Sequence, residues 1–203
     1  MTKFAGAGSI RNKAEKEIDL IMAQLKMIRM PAPVKQVSLP EGFSISTYRP
    51  GLDVEWLNIC QGLTKGIKPI EHFVTKVLEN PTLCPERVFF VIAPDNHGAA
   101  TASARLHPEG HGTLHMVEAL PEYRGKGLGK AICTVAVGAL QALGVPFVDL
   151  TTDDFRVPAI KTYLGLNFMP VLYQEDMRGR WTALKESLGR ETILVFNEKM
   201  DLE

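Results

Sequence analysis

One stretch of this chain, Val117-Glu-Ala-Leu-Pro-Glu-Tyr-Arg-Gly-Lys-Gly-Leu-Gly-Lys130, constrains the fold more than any other. An apolar, strand-like segment runs into a basic turn with glycine at positions 125, 127 and 129. That turn opens a segment in which Leu128, Ile132, Val135, Val137 and Leu140 mark an amphipathic helix ending at Gly144. A second apolar run follows at residues 147–151, so the three segments read as a βαβ unit with parallel strands and a right-handed crossover. A ligand of such a unit is expected at the carboxyl end of the strands, where the helix begins. The glycines let main chain approach that ligand closely, and the helix start aims unpaired N–H groups and its positive dipole end at the same point. This is the chemistry of a pyrophosphate cradle.

The rest of the chain supplies a mixed α/β context. Ala14, Ile18, Ile21, Leu25 and Ile28 recur at helical spacing across residues 10–30, and Pro31-Ala-Pro33 ends that pattern. Residues 1–9 read as disordered, and residues 1–37 as a helical extension and linker before a domain spanning residues 38–203. The apolar face of the extension either packs on its own domain or forms a dimer contact. Residues 44–49 alternate as a first strand, Asp53 is the expected cap of a helix, and a second helix follows Pro69. Residues 88–93 and 99–106 read as a hairpin around Asp95-Asn-His-Gly98, and residues 113–120 as the fourth strand. Beyond the βαβ unit, a helix is expected near residues 158–164, a strand near 168–173, a helix near 180–188 and a last strand near 192–196.

Composition limits the partners. Lys plus Arg and Asp plus Glu both number 23, which leaves no global positive field to gather nucleic acid or an anionic membrane. No apolar stretch is long enough to span a bilayer and no signal-peptide pattern opens the chain, so the expected location is cytoplasmic. Cys60, Cys84 and Cys133 lack metal-ligand or redox spacing and read as reduced thiols; no metal is expected. The glycine turn also fails two phosphate motifs. Arg124 and Ala131 stand where a Walker loop needs glycine and Ser or Thr, and Gly-x-Gly-x-Gly is not the dinucleotide spacing.

Arg124-x-x-Gly127-x-Gly129 after an apolar strand resembles motif A of the GCN5-related N-acetyltransferase (GNAT) superfamily, and Ala159-Ile-Lys-Thr-Tyr163 with Phe168 is similar to its motif B. The resemblance covers residues 40–173. It implies a mixed, mainly antiparallel central sheet of six or seven strands, splayed between the fourth and fifth and flanked by helices. The substrate it implies is acetyl-coenzyme A. By the same resemblance, backbone of Val117, Glu118 and Ala119 would pair with the pantetheine arm, while Arg124, Gly125, Lys126, Gly127, Leu128, Gly129 and Lys130 would hold the pyrophosphate. Two departures stand out: Arg156 replaces an asparagine common in the family, and Asn167-Phe168 replaces Gly-Phe.

The chemistry implied is acetyl transfer to a primary amine of a small molecule or peptide, directly and within a ternary complex. An amine of pKa near 10.4 is free base in only about one molecule in 2,500 at pH 7, so a proton must be removed. Strict alternation sends His115 to one face of the fourth strand and Glu118 to the other, and either is a candidate base. His115 resembles a family histidine in that role, and Glu118 is a carboxylate isolated in an apolar strand. A backbone N–H near Ala119 or Leu120 would face the thioester oxygen, and Tyr163 would protonate the departing thiolate. Asp149, Asp153 and Asp154 either draw a cationic amine or cap helices. The alternative function is a non-catalytic acyl-coenzyme A sensor or assembly module.

Overall fold

In the computed structural model, residues 23–35, 38–197, 199 and 201–203 are described. The strands are β1 (Leu25–Arg29), β2 (Ser44–Thr47), β3 (Val88–Ile92), β4 (Gly98–Leu106), β5 (Gly112–Ala119), β6 (Val148–Thr152) and β7 (Met169–Val171). The helices are α1 (Leu52–Cys60), α2 (Ile70–Phe73), which runs on as a π-helical turn to Leu78, α3 (Leu128–Ala142), α4 (Val157–Gly165) and α5 (Met177–Ser187). Seven strands form one open sheet in the order β2-β3-β4-β5-β6-β1-β7. β2 to β5 are antiparallel neighbours and β5 pairs parallel with β6, which is the mixed sheet expected.

The chain divides into two compact units. The larger comprises Met27–Leu150 and Pro158–Met169 and contains His115, Val117–Ala119, the glycine turn at 124–130 and Tyr163. Its centre is β4, Gly98-Ala-Ala-Thr-Ala-Ser-Ala-Arg-Leu106, a strand of small side chains buried on both faces, which lets helices approach closely. On one face Val88, Phe90 and Ile92 of β3 pack with Trp56, Ile59, Cys60, Phe73 and Val77. On the other lies α3, whose Ala131, Ile132, Ala136, Val137 and Leu140 are buried. A Cβ built on Gly112 would stand 2.9 Å from the Leu140 methyls, so glycine at the start of β5 fixes how closely α3 approaches the sheet. The Arg29 guanidinium, 3% exposed, donates to the carbonyls of Leu166 and Ala32 at 2.8 Å each. Those bonds offset the cost of burying a charge.

The second unit comprises residues 23–26 of the described N-terminal part, Thr151–Val157 and 170–203. Arg180 on α5 bonds Asp154 at 2.5 and 3.0 Å, Asp176 at 3.2 Å and the Ala23 carbonyl at 3.0 Å. These charge-assisted bonds raise the Arg180 pKa.

Three local expectations are corrected. Residues 25–29, read as the end of a helix, form β1 with Leu25, Met27, Ile28 and Arg29 buried, because tertiary burial of an apolar run overrides its helical spacing. Residues 1–22, which carry the rest of that proposed helix, lie outside the described residues. Asp53 is not a cap: Gly51 holds the N-cap position at φ 97°, a left-handed geometry glycine adopts freely, and Asp53 falls in the first turn. Residues 192–196 do not form a strand, since only Phe196 bridges, to Val171 and Leu202.

Leu140→Ala is expected to destabilise the chain by about 2–5 kcal/mol, because it empties a fully buried site under β5. Urea unfolding followed by far-ultraviolet circular dichroism measures it, and a shift below about 1 kcal/mol would contradict this packing.

Candidate active site

The site begins where β5 leaves its neighbours. Pairing with β6 is confined to Gly112 with Val148 and Thr113 with Asp149, after which the two strands diverge. Residues 115–119 are only half-buried, as befits a strand edge lining a cleft. Against β4 the register slips: His115 faces Ser103 and Glu118 faces Thr101, so two residues of β5 stand opposite Ala102 alone. Met116 supplies the kink at φ 50°, a left-handed conformation costing a non-glycine residue roughly 1–3 kcal/mol, and its side chain packs on the Trp56–Phe73 cluster. Residues 101 and 103 share a face, so the bulge turns His115 and Glu118 to the same side of the sheet. The opposite-face assignment from strict alternation is therefore wrong. Both side chains face the α1 side, where the Glu118 Oε2 lies 3.4 Å from a Cβ built on Gly62.

The cradle follows. Pro121–Tyr123 form one 3-10 turn, Gly125 and Gly127 both adopt φ 78°, and Gly127 is the N-cap of α3. A Cβ at Gly125, Gly127 or Gly129 would meet nothing within 4 Å, so these glycines answer to backbone geometry and to open space in front of the loop rather than to internal packing. The first inward bond is Ala131 N–H to the Gly127 carbonyl at 3.1 Å. Among the described residues the amide hydrogens of 125–130 find no backbone acceptor. A run of unpaired N–H groups at the start of a fifteen-residue helix suits a diphosphate.

Between cradle and strand lies a clamp. Arg124 donates from Nε to the Ala119 carbonyl and from Nη2 to Glu118 Oε1, each at 3.1 Å, while Ala119 N–H donates to the same Glu118 oxygen at 3.2 Å. The Glu118 side chain is 12% exposed and that of Arg124 59%. Leu120 N–H is bound to the Ala99 carbonyl at 3.0 Å, whereas the partner of the Ala119 N–H is a side chain.

His115 is half-buried, and desolvation first, then the charges of Arg105, Lys76 and His107, lower its pKa to about 4. That makes it a poor proton acceptor near neutral pH. Tyr163 is buried on α4, edge-on to Phe168 with ring centroids 6.1 Å apart. The three aspartates are each engaged: Asp149 accepts from the Thr113 hydroxyl at 2.5 Å, Asp153 pairs with Arg156 at 3.1 Å, and Asp154 with Arg180. Arg156, the departure from the family asparagine, is thus held by an acidic neighbour. Asn167 adopts φ 63°, a left-handed geometry that asparagine tolerates better than most residues other than glycine. Sequence reading missed the aromatic pair Phe43 and Tyr123, which stands beside Lys126, because Phe43 is brought there from before β2 by the sheet.

Comparison with known proteins agrees with this geometry. The Acetyltransferase (GNAT) family model matches residues 55–168, and the chain belongs to that family. It is 26% identical over 164 residues to a mycothiol acetyltransferase of Thermomonospora curvata, covering 76% of this chain and 54% of the relative. It is 29% identical over 168 residues to one from Pseudarthrobacter chlorophenolicus, covering 74% and 51%. The chain thus spans about half the length of the curated relatives it matches. A GCN5-related N-acetyltransferase from Sphaerobacter thermophilus shares the fold at TM-score 0.61 and 20% identity, covering 78% of this chain and 53% of that one. Among the described residues no helix is long and apolar enough to cross a membrane, and no cluster of His, Cys, Asp or Glu could hold a metal ion.

The lowered His115 pKa links stability to pH. The unfolded chain binds a proton near 6.5 that the folded chain refuses until about 4. The contribution of His115 is therefore complete above about pH 6.5 and lost as pH falls toward 4, by roughly 3 kcal/mol in all. Denaturant unfolding across that window should show the slope in the wild type and a shallower one in His115→Gln; identical slopes would refute the assignment.

Proposed function

We propose that this chain transfers the acetyl group of acetyl-coenzyme A directly to a primary amine within a ternary complex. The observation that carries the reading is the row of unpartnered amide hydrogens at 125–130, next to a strand edge at 117–119 freed by the splay. Both features fit one extended ligand: amides of a pantetheine arm can add to the edge as a strand would, and its diphosphate suits the cradle.

Glu118 is the favoured base. It lies on the acceptor side of β5 beside the cradle, whereas a His115 of pKa about 4 accepts a proton poorly. In the free chain Glu118 is held by Arg124 and by Ala119 N–H. Entry of the thioester at Ala119 releases one of those bonds, offering the amide to the oxygen that gathers negative charge and leaving the carboxylate for the amine proton. Tyr163, in the motif B position, protonates the departing thiolate. The acceptor is a small molecule or a peptide amine. The named activity of the mycothiol acetyltransferase relatives favours the small molecule, though at half their length this chain need not share their acceptor.

Gly127→Val should abolish acetyl-coenzyme A binding in calorimetry, because a β-branched side chain resists φ 78° and fills the loop mouth. Binding within threefold of wild type would remove the cradle from this role. With an amine panel and thiol detection, Glu118→Gln and Tyr163→Phe should each lower kcat by about 10²-fold or more while acetyl-coenzyme A affinity stays within a few-fold. Tight cofactor binding by the wild type with no thiol release, together with a ligand-dependent change of oligomeric state, would instead favour a sensor or assembly module.

A further inference from the structure

Three cations lie in or beside the cradle, and their surroundings differ. Arg124, though exposed, is committed to Glu118 and the Ala119 carbonyl. Lys130 lies within the first turn of α3. The Lys126 ammonium meets no carboxylate among the described residues; it sits 5.6 Å from the Phe43 ring centroid and 5.2 Å from that of Tyr123. Those rings are themselves arranged: they meet edge to face at 6.0 Å and 86°, and the Tyr123 hydroxyl donates to Asp95 at 3.1 Å. Asp95 is fixed in turn by the His97 N–H at 3.1 Å.

A cation over two aromatic faces at an exposed position is held weakly but in a defined direction. The rings restrict a side chain that otherwise loses much rotamer freedom when it binds, so an anion arriving there meets a charge already oriented. The proposed ligand carries three phosphates. Two form the diphosphate, which the backbone N–H row suits, and the third is an isolated phosphate on the ribose that needs a cation of its own.

We infer that Lys126, oriented by Phe43 and Tyr123, recognises the ribose 3′-phosphate and makes this chain discriminate coenzyme A from its 3′-dephospho form. The inference rests on the acetyl-coenzyme A reading and extends it to a residue that sets cofactor specificity. Arg124 takes no part, because its charge is already spent within the fold, and Lys130 serves the diphosphate.

Calorimetric titration of the full chain with coenzyme A and with 3′-dephospho-coenzyme A tests this. The wild type should bind coenzyme A at least about tenfold more tightly. Lys126→Ala should bring the two affinities within about twofold by weakening only the coenzyme A arm, Lys126→Arg should restore most of the preference, and Lys130→Ala should leave the ratio intact. A Phe43→Leu, Tyr123→Leu double variant should reduce the ratio while keeping Lys126. Equal weakening of both carriers in Lys126→Ala, or a ratio that follows Lys130 instead, overturns the assignment and leaves the acetyl-coenzyme A reading standing. A wild type that binds neither carrier sinks that reading and this one with it.

Discussion

The separation of β5 from β6 after Thr113 is the constraint on which the site depends. Continued pairing would have satisfied the backbone groups of residues 114–119 on that edge, each net hydrogen bond being worth about 1 kcal/mol. The fold forgoes those bonds and recovers stability elsewhere, in the apolar face of α3 pressed on β3, β4 and β5 and in the small side chains of β4 that let it come close. A strand edge opened in this way is hazardous, since unpaired N–H and C=O groups invite any other strand. Here the end of the edge is self-protected: both polar groups of Ala119 are taken, its N–H by Glu118 and its carbonyl by Arg124.

That self-protection ties three parts of the site together. The bulge at Met116 turns Glu118 toward α1, Arg124 reaches back from the cradle to hold it, and the one carboxylate oxygen serves both Arg124 and the Ala119 amide. Because the clamp joins the loop before α3 to the end of β5, a ligand entering along the edge must disturb the same contacts that hold the carboxylate. The strained kink at Met116 is thus part of how the β5 carboxylate and the cradle loop meet.

The sequence made the βαβ unit legible because its signals agree at every level: apolar runs of strand length, glycines at a helix start, and a helical stripe between them. Most of the central antiparallel strands could be read for the same reason. What escaped was produced by tertiary context. Residues 25–29 carry a helical spacing, yet sheet addition buries them as a strand. The shared face of His115 and Glu118 depends on one extra residue in β5, and no propensity scale marks a methionine for φ 50°. The weakness of His115 as a base arises from burial and from Arg105, Lys76 and His107, charges that the sheet, the α2 turn and the loop after β4 bring near it.

The backbone cradle also reconciles net neutrality with the anionic ligand proposed for it. Equal numbers of acidic and basic residues give no long-range field, so attraction must come from fixed local dipoles. Helix α3 supplies these through main chain, which needs no side-chain ordering and is indifferent to most substitutions outside the glycines. The few charges that are present then serve separate tasks: Arg124 stabilises the strand end, and Lys126 stands over its aromatic pair. A site built on backbone leaves the α1 face, where Glu118 and His115 point, outside its requirements. This is the physical reason the glycine turn could be read from sequence while the β5 face that carries His115 and Glu118 could not.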